Sequence, residues 1–439
     1  MTRRCPRRAD VINMLRSNHM RRSLGRFDIT CLGLNAIVGS GIFLLPDDLY
    51  KELGVLSPLA FVCCAVGLLP IALCYARAAS ACAKSGGPYV YASEAFGPRV
   101  GFAVGWMCFT NSVFSFAAVA AAAAAYAARL MPTLADPITQ KAVSVLVIAT
   151  FAALNYRGAK PGALAVDTFT AGKFAVLLIL VAVLLWRLDT SVFGRGPLPQ
   201  GLGNLGTATF IALFAAQGFE VVPVPAGETR APERDVPFAV LSSLAVASVL
   251  YILVQFALVG SGANLSSASD APLADAALAI APALGVVIAV GGLISTLGFV
   301  SGSALGTPRY LYAVALDGQL PRGLAAIHPH HQSPHVAVLA TASLAIVCVL
   351  PFDYRALIGM SNVAVAVQYL ATCLAIQRLG NERPRPALRV MSWLGVAVSL
   401  WIFTEASLQE LIWAAAALVV GAALVTLTAR SSAKAAPGA

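Results

Sequence analysis

Charged residues are scarce in this sequence. Asp, Glu, Lys and Arg make up 11% of its 439 residues, against about 25% in an average soluble domain. Apolar residues reach 59%, where roughly 45–50% is usual. A water-soluble globule with so little charge could not cover its own surface, so lipid must be the solvent for much of it. Long hydrophilic segments are also missing. The longest run to about twenty residues, which leaves little room for a separate soluble domain. The nine cysteines lack metal-ligand spacing, and most, such as Cys63, Cys64, Cys74, Cys108, Cys348 and Cys373, sit in apolar runs. They read as small hydrophobes rather than a disulfide framework or a zinc site. No carboxylate or histidine cluster and no serine–base pair falls within an apolar run, which argues against a membrane enzyme. No cofactor or metal is expected.

Apolar runs are what the sequence has in abundance. A helix crossing a bilayer takes about 20 apolar residues. Twelve segments qualify: 28–48, 56–80, 98–130, 137–155, 163–187, 203–226, 236–262, 282–314, 335–351, 354–378, 388–407 and 409–429. The expected fold is therefore all-α and polytopic, with twelve transmembrane helices. Lysine and arginine test the topology, because cytoplasmic loops carry the excess. With the N-terminus inside, 23 of the 30 fall on the cytoplasmic side, 6 fall outside, and Lys173 lies within a span. Both termini are expected in the cytoplasm, residues 1–27 as an Arg-rich tail and 430–439 as a second. The first 26 residues lack the apolar core of a signal peptide. The net charge of +10 thus belongs to the face that meets anionic lipid, and nucleic acid is not an expected partner.

Two spans carry features that a plain anchor would avoid. The first contains Gly39-Ser40-Gly41 at its centre. Each glycine costs about 1 kcal/mol against alanine inside a helix. An unwound stretch is one reading, and close packing through small residues is the other. If unwound, the N–H groups opening the second half-helix would attract an anion. The sixth span gathers Gln217, Gly218 and Glu220 at its middle, followed by Pro223 and Pro225. Interruptions at corresponding positions of two halves are a sequence pointer to a transporter site. They imply two inverted five-helix repeats, 28–187 and 203–378, with the spans of 388–429 appended.

Ionisable side chains deep in a span are costly and usually face the bundle interior. Lys173, ten residues into its span, is a candidate for proton exchange during transport; snorkelling to the surface is the alternative. Glu220 could either hold the interrupted helix by a hydrogen bond or titrate. Glu228 and Asp167 lie nearer the cytoplasmic rim and are expected to be structural. Four of five histidines crowd into 328–335, at His328, His330, His331 and His335. A metal or pH-sensing site is conceivable there, while the prolines favour an ordinary turn-rich loop.

Several motifs in order carry a family resemblance. They are Gly39-Ser40-Gly41-Ile42-Phe43, Gly86-Gly87-Pro88-Tyr89-Val90-Tyr91 with Ala95-Phe96-Gly97, and Gly218-Phe219-Glu220. Ala226-Gly227-Glu228, Arg234-Asp235-Val236-Pro237 and Pro308-Arg309-Tyr310-Leu311-Tyr312-Ala313 with Asp317-Gly318 complete the series. Along nearly its whole length the chain resembles the amino acid–polyamine–organocation superfamily of transporters. The resemblance implies the leucine-transporter type of fold, with broken helices 1 and 6. It implies an amino acid substrate whose carboxylate meets the amides of Gly39, Ser40 and Gly41. The ammonium would meet backbone carbonyls at Ile37, Phe214 and Gln217, with the Phe214 ring closing over it from outside. Lys173 looks like the lysine of proton-coupled, sodium-independent bacterial members, which favours proton symport over sodium symport and counts against obligate exchange. Ser295, Thr296, Ser301 and Ser303 are hydroxyls that could complete its surroundings. Gln217 departs from the smaller or less polar residue expected at its position.

The expected function is secondary active transport of small or neutral amino acids, coupled to protons, by alternating access. Abundant Ala, Gly and Arg suggest a bacterial origin and hence the inner cell membrane. An amino acid or amine exchanger and a membrane sensor that binds without moving its ligand are the alternatives.

Overall fold

A computed structural model describes residues 24–82, 84, 86–157, 159–195, 202–262, 265, 271–379 and 385–435. Most of the expected N-terminal tail, the last residues of the C-terminal tail and the side chain of Asp167 lie outside the described residues.

The described chain is almost wholly helical. Its helices are α1 (Arg26–Ile37), α2 (Gly41–Leu44), α3 (Pro46–Leu53), α4 (Pro58–Ala81), α5 (Pro88–Phe96), α6 (Pro98–Leu130), α7 (Pro137–Tyr156), α8 (Ala159–Trp186) and α9 (Val192–Arg195). They continue as α10 (Leu202–Ala216), α11 (Pro232–Gly260), α12 (Pro272–Ile280), α13 (Pro282–Leu316), α14 (His335–Val349), α15 (Tyr354–Ala375), α16 (Pro386–Glu405) and α17 (Leu408–Ala435). Proline opens many of them, at a position whose N–H has no helical partner anyway. Asp136 and Asp353 cap α7 and α15, accepting from Thr139 N at 3.0 Å and Ala356 N at 2.7 Å. One isolated parallel bridge, Leu24 to Thr229, is the sole β pairing among the described residues.

Nine of these helical segments are long and apolar enough to cross a membrane, and Ala171–Trp186, Asn204–Ala216 and His335–Val349 are shorter apolar helices. The surface agrees. Val419, Val66, Leu146 and Leu178, all well inside their helices, are 68%, 67%, 65% and 58% exposed, a surface suited to lipid. The interior holds the polar groups, among them Asn35, Lys173, Gln217, Glu220, Gln255, Asn362 and Gln368, all buried. This is a multi-pass helical membrane protein. Helices α6 and α15 are central, while α17 lies at the periphery.

Two segments depart from continuous helix at mid-length. In the first, α1 stops at Ile37 and α2 begins at Gly41. Val38 takes φ −77° and ψ 79°, and Gly39 N donates to Ile37 O at 2.8 Å. That is an inverse γ-turn. In the second, α10 stops at Ala216 and Gly218 takes φ +128°, open to glycine alone without strain. Beyond it the chain forms the 3₁₀ turns Phe219–Val221 and Ala226–Glu228 rather than a second α-helix. The sequence reading, which carried this span to 226, ran too long. Pro223 and Pro225 lack the N–H that would continue a helix.

The two breaks touch. A Cβ on Gly218 would lie 2.5 Å from Ala36 C and Ile37 N, and one on Gly41 would lie 2.5 Å from Ala215 Cα. Gly67, inside α4, faces only Val398 Cγ1, at 3.7 Å. Gly218→Ala should therefore cost at least about 2 kcal/mol through strain and overlap, whereas Gly67→Ala should be neutral or slightly stabilising. Thermal melting of the detergent-solubilised protein checks the contrast; equal melting temperatures for the two variants would refute the contact between the breaks.

Candidate functional site

The break after α1 leaves backbone groups in a buried, low-dielectric place, where each must find a partner. Its carbonyls are met by side chains from distant helices. Lys173 on α8 donates from Nζ to Asn35 O at 3.0 Å, Asn35 Oδ1 at 2.5 Å and Val38 O at 2.5 Å. Tyr251 on α11 donates to Ile37 O at 2.9 Å. Ser295 on α13 donates to Gly39 O at 2.8 Å. Further along, Tyr126 on α6 donates to Phe43 O at 2.6 Å and Tyr354 to Leu44 O at 3.0 Å. Gln255 reaches Pro46 O at 3.1 Å.

The N–H groups tell the opposite story. Gly39 N is taken by Ile37 O. The N–H groups of Ser40, Gly41 and Ile42 have no hydrogen-bond partner among the described residues. The Ser40 hydroxyl is also buried without one. Ser40 and Gly41 line a cavity of about 150 Å³. At the second break the carbonyls of Phe214 and Gln217 have no hydrogen-bond partner among the described residues. Gly218 N, which would close the last turn onto Phe214 O, instead donates to Glu220 Oε2 at 2.9 Å. Tyr369 donates to the same oxygen at 3.1 Å. The Glu220 carboxylate thus bridges the break to α15.

Six residues named from the sequence as a substrate site, Ile37, Gly39, Ser40, Gly41, Phe214 and Gln217, line this one cavity, and so does Glu220. Two of them are already engaged in this conformation. The Gly39 amide is in the γ-turn, and Ile37 O accepts from both Gly39 and Tyr251. Lys173 is not in the cavity wall. It is fully buried behind the α1 break, so it does not snorkel. Of the α13 hydroxyls, Ser295 serves the break, Thr296 donates to its own helix, Ser301 is buried without a partner and Ser303 lines the cavity.

Sequence reasoning missed several contributors. Asn111 and Ser115 line the cavity from α6, and Phe299 from α13. Ser361 and Asn362 on α15 stand behind Gln217. A lone amide inside an apolar run, as at Asn111, Gln255 and Asn362, was the available signal. Toward the end of the molecule that carries Arg26, the wall continues through Leu32, Val224 and Arg309. On the other side Phe214 is buried, and Ile42 and Phe43 are packed shut.

The histidine loop lies apart from this cavity. The His328 ring lies 4.5 Å from that of His331, and both rings lie against Tyr156. Desolvation first, then His331, His335 and His330, push His328 below the usual histidine range. No group of three or more metal-capable side chains is assembled among the described residues.

Comparison with known proteins agrees with this architecture. Residues 24–431 match the amino acid permease family. The branched-chain amino acid permease BcaP of Bacillus subtilis is 25% identical, over 94% of this chain and 94% of its own. An uncharacterized transporter of Mycobacterium tuberculosis is 29% identical, over 92% and 91%. The mouse cationic amino acid transporter 4 is 28% identical, over 83% of this chain and 61% of its own. With that match running from the first described helix into the last, the chain belongs to the amino acid permease family, whose members are membrane carriers and not enzymes.

Proposed function

We propose that this protein is a proton-coupled symporter of small or neutral amino acids, working by alternating access. One observation carries the reading: two helix breaks in contact, offering unpartnered N–H groups on one side of a cavity and unpartnered carbonyls on the other. A zwitterion needs both. Its carboxylate suits the amides of Ser40 and Gly41 at the start of α2, and its ammonium suits the carbonyls of Phe214 and Gln217. Gly39 acts as the hinge that holds those amides forward, and Phe214 closes the far side. Residues 37–41 and 214–217 thus supply the main-chain contacts.

The nine long apolar helices and the three shorter ones are read as twelve spans. Segments 28–187 and 203–378 form the two inverted repeats, with 388–429 appended and both termini in the cytoplasm. The unequal share of lysine and arginine supports that orientation in a bacterial inner membrane. With Arg309 and Val224 at one end of the cavity and Phe214 buried at the other, this conformation is the one turned toward the cytoplasm. Glu220 is the only acidic side chain in the cavity wall among the described residues, and it is committed to Gly218 and Tyr369. That favours neutral substrates over cationic ones, although relatives carry names of both kinds.

Lys173 is proposed as the coupling residue. Its ammonium meets only neutral acceptors of the first break. Protonation there supports the broken shape directly. In proteoliposomes an inward proton gradient should drive accumulation of a neutral amino acid whether or not sodium is present. Lys173→Ala should abolish accumulation, with counterflow exchange reporting whether the variant still binds. Undiminished gradient-driven uptake by that variant would sink the coupling role, and a strict need for internal amino acid would select exchange instead.

Glu220 is assigned to holding the second break. Glu220→Gln keeps an oxygen that accepts from Gly218 and Tyr369. It should cost about 1–2 kcal/mol of stability yet leave uptake dependent on the proton gradient. Uptake that no longer responds to the gradient in Glu220→Gln would move coupling onto the carboxylate.

A further inference from the structure

The cavity wall opposite the breaks is polar in a specific way. Asn362 Nδ2 donates to Phe210 O at 2.8 Å. A backbone carbonyl only accepts, so this bond fixes the orientation of the Asn362 amide. Its oxygen therefore faces Gln217 and accepts from Gln217 Nε2 at 2.5 Å. The Gln217 oxygen is thereby turned toward Ser361, 3.2 Å away.

Ser361 is over-subscribed. Its hydroxyl lies 2.7 Å from Asn111 Oδ1, 2.8 Å from Ser115 Oγ and 3.2 Å from Gln217 Oε1. It has one proton to give. Given to Asn111, the nearer acceptor, that proton leaves Gln217 Oε1 short of a donor, and Asn111 Nδ2 has no partner among the described residues. Given to Gln217, it obliges Asn111 to turn its nitrogen to Ser361, and the Asn111 oxygen is then the unpartnered group. Either way at least one amide atom on this wall lacks a partner among the described residues, and Asn111 and Gln217 both line the cavity. Once a bound side chain closes the cavity over it, a polar atom left unpaired there costs about 1–3 kcal/mol.

We infer that Asn111 and Gln217 form a subsite for the substrate side chain that selects a neutral hydrogen-bonding group, a hydroxyl or a carboxamide, as in serine, threonine, asparagine and glutamine. The inference rests on the transport reading and narrows it. An aliphatic side chain would fill the same space but leave the wall unpaired. A cationic one would bring a charge with no carboxylate to spare, since Glu220 is held by Gly218 and Tyr369. Arg309, the basic residue in the wall, donates to Leu305 O of its own helix, and an anionic side chain would have to draw it from that bond.

Size-matched substrate pairs test this in proteoliposomes. Threonine should exceed valine, and asparagine should exceed leucine, by about tenfold or more in transport efficiency, the factor that one unpaired buried polar atom implies. Asn111→Leu should bring the asparagine-to-leucine ratio down toward one. If that variant does not fold, the wild-type ratios decide alone. Valine equal to or better than threonine, or aspartate better than asparagine, would overturn the subsite while leaving amino acid transport standing. No flux or binding for any amino acid would instead remove the transport reading itself.

Discussion

A membrane-buried main chain without its helical hydrogen bonds is the constraint on which this structure turns. Water is absent at that depth, and each bare peptide group costs about 1–3 kcal/mol if left alone. The fold answers on the carbonyl side with six side chains from five different helices. Lys173, Tyr251, Ser295, Tyr126, Tyr354 and Gln255 all donate to carbonyls between Asn35 and Pro46. On the N–H side it gives no such answer at Ser40, Gly41 and Ile42 among the described residues. Partners for the carbonyls and none for these amides leave a fixed positive pole, suited in charge to the carboxylate of the proposed substrate. In the proposed function that asymmetry makes the break a recognition element rather than a defect.

Contact between the breaks makes the two poles one site. Gly218 sits against the backbone of Ala36 and Ile37, and Gly41 against Ala215, at separations that exclude any side chain. Each break is thereby packed directly against the other. A substrate gripping the amides of one and the carbonyls of the other would therefore report on both halves of the molecule at once. Glu220 extends the linkage to α15 through Tyr369, whose ring stacks at 5.5 Å on Phe219. Tyr75 packs edge-on against both rings. Rigid aromatic packing around the second break suits it to pivot rather than to fray.

Much of the helix layout was legible in the sequence because lipid imposes a length. Apolar runs near twenty residues, set off by proline and glycine, located every long helix to within a few residues. The break after Ile37 was legible too, because two glycines around a serine at mid-span weaken a continuous helix where lipid would otherwise demand one. Its partner was harder. Gln217, Gly218 and Glu220 marked the place, but the chain beyond Gly218 is turn and 3₁₀ rather than helix, since two prolines remove donors that a hydropathy count does not register. The donors that satisfy the first break were illegible. Tyr251 and Tyr126 look like ordinary interfacial aromatics in sequence. Their hydroxyls acquire a purpose only when folding brings α11 and α6 to a carbonyl 214 or 83 residues away. Lone amides such as Asn111 and Asn362 could have been flagged by their cost in an apolar run, but their pairing through Ser361 could not.

Lys173 shows why protonation and shape are linked in the proposed cycle. An ammonium has three N–H donors and no acceptor, and this one has three neutral acceptors within 3.0 Å, all on Asn35 and Val38. Loss of the proton leaves two donors for three acceptors and offers a lone pair in place of a hydrogen. One of the three acceptors then loses its donor, and in the proposed cycle the γ-turn at Val38 loses support while the amides of Ser40 and Gly41 hold the substrate. A penalty of about 1–3 kcal/mol shifts a two-state equilibrium five- to more than a hundredfold. No long relay of residues is required, because the acceptors of Lys173 on Asn35 and Val38 and the proposed carboxylate site at Ser40 and Gly41 lie within the same seven residues, 35–41. In the proposed cycle one interrupted helix thereby serves as both the anion receptor and the lever that protonation pulls.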